Sequence, residues 1–265
     1  MSVKTAGLTA LVTVPALLLA TACTSGDGKS PAKNTDTDVG TSAAASPSTA
    51  ASAGTGSETG KDGGSGAGDT SAPLTGSQLQ RAALATKDLP GFQVSADKSA
   101  LAPSGQPAAD KPRCQPLADA MGDKPNPQAI RTVSRGLGSL DNLGLAVSAS
   151  VSSYSEATAK KLMDGLTSAV SACGAGFAAT LDGRSGLYSE VKTADFTTRG
   201  ADETVSWTTV GTNEGAVAPL HLVVVRKGAT VARFMALDLA RRTPPRVPQE
   251  VADKQLAKVA QVRAG

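Results

Sequence analysis

Three thiols and one imidazole bound the chemistry open to this chain. Cys23, Cys114 and Cys173 are its only cysteines and His221 its only histidine, in 265 residues. No CxxC pair, cysteine–histidine cluster or HExxH motif occurs, so the spacings that usually hold zinc are missing and no metal is expected. Nucleophilic catalysis lacks its parts as well. There is no GxSxG elbow, Ser139 in Gly136-Leu137-Gly138-Ser139 has the wrong spacing, and a histidine-assisted mechanism would have to run through His221 alone, in a stretch that reads as a strand. Asp182, Asp202 and Glu203 remain as acid–base groups, but the Asp202-Glu203 pair reads more simply as the start of a strand. Two glycine-containing stretches, Gly28-Lys29-Ser30 and Gly63 to Gly68, look superficially like phosphate loops. The place of a first P-loop glycine holds Cys23, and no strand precedes either stretch. The expectation is a non-enzyme without a cofactor.

Anchoring and cross-linking are what remain for the thiols. Lys4 precedes an apolar run from Leu8 to Leu19, and Ala20-Thr21-Ala22 leads into Cys23. That order is a secretory signal, whose apolar run is too short to span a bilayer comfortably. The stretch Leu17 to Cys23 resembles the lipobox of bacterial lipoproteins, in which the thiol is diacylated and the mature chain begins at the cysteine. It departs from that pattern at Ala20, where leucine is commonest, with Leu19 one place further back. The resemblance implies a signal peptide over 1–22, acyl chains of the palmitate kind on Cys23, and a site on the outer face of the cell membrane. Two or more acyl chains anchor a protein stably where one is marginal. With Cys23 acylated, an exported chain has one disulfide left to form, Cys114 with Cys173. Closing that loop of about 60 residues stabilises the fold by roughly 4 kcal/mol on the chain-entropy account.

Behind the anchor, residues 24–73 hold no aromatic residue and one aliphatic beyond alanine, Val39. Such a segment buries too little apolar surface to offset its ordering entropy. Residues 23–73 therefore read as a lipidated N-terminus and a disordered tether, spanning roughly 40 Å on average. Three lysines against six acids give the 24–73 segment −3 and Lys4 adds +1, so the total of +3 leaves 74–265 near +5. Most of that excess lies in the last forty residues, where Arg226, Lys227, Arg233, Arg241, Arg242, Arg246, Lys254, Lys258 and Arg263 face Asp238, Glu250 and Asp253. A surface of that sign suits anionic lipid headgroups or acidic wall polymers, although a solvated face is the plainer reading.

Leu74 to Gly265 is long enough for one domain with a sizeable core. Short helices are expected over Ser77–Leu84 and after Cys114, with an irregular stretch over 96–113 between them. Ile130–Val133 and Leu145–Val151 read as strands. Ala159, Leu162, Met163, Leu166, Ala169, Val170 and Cys173 then mark one apolar face of a helix. Ser153 and Glu156 have the capping-box spacing at its start, and Gly174 is placed to end it. Strands are expected over Phe177–Leu181, Leu187–Val191, Thr204–Val210, Leu220–Val225 and Thr230–Leu237, with a hairpin at Arg226-Lys227-Gly228. A last amphipathic helix covers Gln249–Val262. The fold expected is α+β: a largely antiparallel sheet with helices packed on one face.

In order and spacing, several of these stretches resemble a known family. They are Asp88-Leu89-Pro90-Gly91-Phe92, the helix from Tyr154 to Ala172-Cys173-Gly174, Gly200 to Trp207, Val223 to Ala229, and the terminal helix. Together they look like actinobacterial extracytoplasmic lipoproteins, similar to the extracellular sensor domain of PknH-type mycobacterial Ser/Thr kinases. The resemblance implies an α+β domain with a cleft, disulfide support, and ligand or wall sensing without catalysis. Where those sensor domains have two disulfides this chain can form one, so their cleft loops do not carry over. With neither a kinase domain nor a membrane helix after the signal, no inward signalling is expected of the chain itself. The reading is a membrane-anchored lipoprotein with a non-catalytic, sensor-like domain that binds a ligand or wall polymer. A carrier of lipid or another hydrophobic molecule, or an adaptor for an envelope protein, is the alternative. Trp207, Tyr154, His221 and Arg226 are the candidate ligand-binding residues, and the scarcity of aromatics argues against nucleic acid.

Overall fold

The computed structural model describes residues 72–96, 104–238, 240 and 245–265. The signal segment, Cys23, the tether up to residue 71, Arg241 and Arg242 lie outside the described residues. Nine strands among those described form one antiparallel sheet: β1 (Phe92–Ser95), β2 (Ala108–Ala109), β3 (Arg131–Ser139), β4 (Leu145–Ser153), β5 (Phe177–Leu181), β6 (Arg184–Thr193), β7 (Glu203–Asn213), β8 (Ala216–Lys227) and β9 (Thr230–Asp238). Their order is β1-β3-β4-β9-β8-β7-β6-β5-β2. The two outermost strands are also the shortest, which leaves little open edge for another chain to pair with.

Burial explains that order. β8 and β9 occupy the middle of the sheet, and their side chains are buried on both faces from Leu220 to Arg226 and through most of Thr230–Asp238. Their sequences are accordingly almost continuously apolar. Lys227 pairs with Thr230, so a two-residue turn joins them, with Gly228 at φ 56° where a side chain is disfavoured.

The α+β class and the antiparallel sheet hold as expected; the placement of the helices differs from the one-face expectation. One face, carrying Trp207, Leu222, Val224, Val231 and Met235, packs against α2 (Gln115–Met121) and α3 (Glu156–Ala172) through Leu117, Met163 and Leu166. The other, carrying Val147, Ala149, Val223, Val225 and Phe234, packs against Val251 and Leu256 of α4 (Gln249–Ala264). Beside α4 lies α1 (Gly76–Ala82), whose Leu79 and Ala82 meet Val151 and Val259. Central strands apolar on both faces need cover on both, and only four helices are present among the described residues to supply it.

Two ends of α3 are corrected. Ser153 closes β4, and the cap is Ser155, whose Oγ accepts from Thr158 N at 3.2 Å. At the other end Gly176, not Gly174, takes the left-handed conformation at φ 88°, its amide donating to Cys173 O at 2.7 Å. Cys114 and Cys173 are joined as a disulfide with Cα atoms 5.9 Å apart. It ties the turn that opens α2 to the end of α3, inside the core that both helices share with the sheet.

Candidate binding cavity

Between α2, the Pro125–Pro127 loop, α3 and the sheet lies a cavity of about 440 Å³, within the range of sites for small organic ligands. It exists because β4 alternates two kinds of residue. Val147, Ala149 and Val151 point to the α1–α4 face, while Ser148, Ser150 and Ser152 point to the α2–α3 face. The small serines leave room under the helices that leucines would fill. Pro116, Ala120, Leu162, Leu166, Val224 and Val231 make most of the wall apolar, and exposed Asn126, Pro127 and Lys161 form the mouth.

At the floor stands Arg233, in mid-strand on β9, in register with Ser150 on one side and Val224 on the other. It is half-buried, and its Nη1 donates to the Asp119 main-chain oxygen at 3.0 Å. Among the described residues no carboxylate lies within 4 Å of its guanidinium. Asp119 is near enough to attract it, and each of its carboxylate oxygens accepts one amide donor: Gln115 Nε2 donates to Oδ1 at 2.8 Å and Asn126 Nδ2 to Oδ2 at 3.0 Å. Asp123 also attracts it from a distance while accepting from Gly105 N at 2.7 Å. Loss of water around Arg233 pushes its pKa below the ordinary arginine value, because burial penalises the charged form. Burial likewise raises the Asp119 carboxyl, against the pull of its two amide donors and Arg233.

Hydroxyls complete the floor. Tyr154 is 2% exposed, and burial pushes its phenol up to about 12, so it is a neutral donor at any physiological pH. Ser152 Oγ is shared with Thr132 Oγ1 at 2.8 Å. A cation, a neighbouring carboxylate and several hydroxyls thus sit in a pocket whose walls are mostly apolar, which is an arrangement for holding a molecule. His221, the one histidine of the chain, is on the far face of the sheet.

Of the four residues singled out from sequence, Tyr154 lines the cavity. Trp207 is fully buried beneath α3 and away from its lining. His221 packs toward the α4 side, held by Val247 N and Ser206 Oγ, both at 2.8 Å. Arg226 is held by Glu203 at 2.7 Å, Asp202 at 3.3 Å and Gly228 O at 3.1 Å. Arg233 belongs in sequence to a run of basic residues expected to form one surface, and among the described residues that surface is broken up. Arg226 and Arg233 turn inward, Lys258 pairs with Asp88, and Arg263 donates to Thr230 Oγ1. No group of three His, Cys, Asp or Glu side chains is placed to hold a metal among the described residues.

No family model matches the chain, and no curated protein does. Among solved structures it is similar to the extracellular domain of PknH from Mycobacterium tuberculosis, with 12% identity and a TM-score of 0.48 over 72% of this chain and 98% of that one. It is also similar to an uncharacterised protein from Mycobacterium smegmatis, an Rv0999 ortholog, with 16% identity and a TM-score of 0.38 over 76% of this chain and 100% of that one. The expected resemblance to a PknH-type sensor domain is thus met in solved structures. Neither likeness assigns a ligand or a residue role.

Proposed function

We propose that this chain is an extracytoplasmic lipoprotein, held at the outer face of the cell membrane through Cys23, whose folded part is a non-catalytic binding module. The ligand sits in the cavity between the α2–α3 layer and the sheet. One observation carries the binding claim: a cavity of about 440 Å³ whose helical walls are joined by a disulfide and whose floor presents Arg233. An exported location is supported by that disulfide, since stable disulfides belong to oxidising compartments. A non-catalytic role is supported by the distance between the cavity hydroxyls and His221, which faces the other side of the sheet.

Two measurements test this. A Cys23→Ala chain is expected to leave the membrane fraction or to keep its signal peptide; undiminished membrane association at mature length would sink the lipid claim. Native mass spectrometry of the protein drawn from its own envelope is expected to reveal a bound small molecule that Ser150→Leu expels. An empty protein from every growth condition would count against the binding claim. The apolar walls also favour the carrier reading, in which the same cavity shields a hydrophobic molecule in transit.

A further inference from the structure

We infer that the cavity takes a single-chain amphiphile with a compact oxyanion head, carboxylate or phosphate, seated on Arg233. This deepens the proposed binding function and rests on it. The first argument is electrostatic. An arginine guanidinium carries five N–H donors. Among the described residues Arg233 makes one hydrogen bond, Nη1 to Asp119 O, and no ion pair within 4 Å. Half-buried in a mostly apolar pocket, the cation is only partly hydrated, so an anion or further acceptors that complete its shell are favoured. Asp119 and Asp123 attract it only from beyond contact distance, and each accepts hydrogen bonds from other donors. The guanidinium fork is left for an oxyanion, which it matches with paired, charge-assisted hydrogen bonds.

The second argument is shape. Tyr154 and Ser150 adjoin Arg233 on the floor. Both are placed to donate to the same head group. Above them the wall is Leu162, Leu166, Val224 and Val231; the other charged residues of the lining are Asp119, whose two oxygens accept from Gln115 and Asn126, and Lys161 at the mouth. A polar head at the bottom and an apolar shaft above it select a head-first amphiphile over a soluble anion. Size bounds the tail. At about 30 Å³ for each water-sized group, 440 Å³ holds on the order of fifteen such groups. That matches one medium-length chain and leaves no room for the two tails of a membrane lipid.

The experiment uses the Cys23→Ala chain released from the membrane fraction without its signal segment, so that no detergent is needed, with the disulfide intact. Decanoate, decyl phosphate, decanol and decyltrimethylammonium are titrated calorimetrically below their micellar concentrations. Decanoate or decyl phosphate is expected to bind at least tenfold more tightly than decanol, with no binding of the cation; the tighter oxyanion tells carboxylate from phosphate. Arg233→Gln is expected to weaken the oxyanion about tenfold or more, as loss of a charge-assisted bond does, and to leave decanol unchanged. Decanol binding as tightly as both oxyanions would overturn the head-group inference and leave the cavity reading standing. Absence of binding by all four, with a different molecule found in the native protein, would do the same. Should Arg233→Gln fail to fold, the head-group series on the parent chain decides the matter alone.

Discussion

The main-chain N–H of Val247 donates to Nδ1 of His221 at 2.8 Å, so the one histidine of the chain is a main-chain clamp. The bond fixes the tautomer: Nδ1 accepts, Nε2 carries the proton, and Nε2 donates to Ser206 Oγ. It also ties the segment before α4 to the middle of the sheet. Burial, helped by the charge of Arg246, lowers the imidazole pKa from 6.5 to about 4. The unfolded chain therefore binds more protons than the folded one between these values, and stability falls as pH falls through them. The loss is about 3 kcal/mol, complete below about pH 4 and absent near neutrality. Asp88 and Asp202, held below the usual carboxylate range by Lys258 and by Gly228 N and Lys227, add to the loss at still lower pH. Asp119 works the other way, since its raised pKa favours the folded state on acidification. Melting temperature should drop between about pH 6.5 and 4, and His221→Asn, which keeps an acceptor for Val247, should flatten that slope. An unchanged slope in the variant would remove His221 from the account.

The disulfide should matter to the cavity before it matters to the fold. Cys114 and Cys173 are 59 residues apart in sequence, so opening the bridge costs roughly 4 kcal/mol of unfolded-state restraint. Yet Leu117 and Met163 are buried in one core with the sheet, and that apolar burial is expected to persist without the bridge. A Cys114→Ser, Cys173→Ser chain should fold with a lower denaturation midpoint. Its α2 should then loosen over the cavity, so that hydrogen exchange in residues 115–121 rises more than in β8 or β9. Uniform acceleration across the sheet would contradict this.

Much of the fold was legible because burial leaves a period. The helix with Ala159, Met163, Leu166 and Ala169 on one face, the strands, and the Gly228 turn all carry local signals. The distribution of helices over two faces carried none, because a run such as Leu220 to Val225 reports burial without saying what covers each side. The cavity was hidden for a related reason. Ser148, Ser150 and Ser152 read as the solvent side of a half-exposed strand, yet all three are buried, and Ser150 and Ser152 face a cavity roofed by α2, the Pro125–Pro127 loop and α3. One signal did exist: Arg233 is a lone charge in Thr230–Leu237, a strand otherwise apolar enough to be central. Counting it with the other cations as surface charge obscured it.

Arg226 should prove a stability residue with no part in binding. Its side chain is 7% exposed and reaches Glu203 at 2.7 Å and Asp202 at 3.3 Å, both partly open to solvent. Arg226→Met is expected to cost about 1–3 kcal/mol, less than for a wholly buried pair, because the two carboxylates can regain water. Denaturant titration reads that loss, while affinity for the cavity ligand should stay within about twofold of the parent. A binding loss in the absence of unfolding would show that β8 transmits strain to Val224 and the cavity wall.

Two glycines separate backbone conformation from crowding. Gly183, in the β5–β6 turn at φ 77°, has nothing within 4 Å of where a Cβ would sit. Gly176 has a similar φ of 88°, but a Cβ there would lie 2.4 Å from Tyr188 O and 3.0 Å from Ser189 Cα. The Tyr188 ring is stacked on Phe177 with centroids 5.2 Å apart, so its backbone cannot retreat without disturbing that contact. Gly183→Ala should therefore cost about 1–2 kcal/mol, the left-handed penalty for an L-residue alone. Gly176→Ala should cost at least about twice as much, because an approach that close forces the neighbouring strand to shift. Urea midpoints with unchanged slopes make the comparison, and equal losses would mean that β6 yields freely at Tyr188.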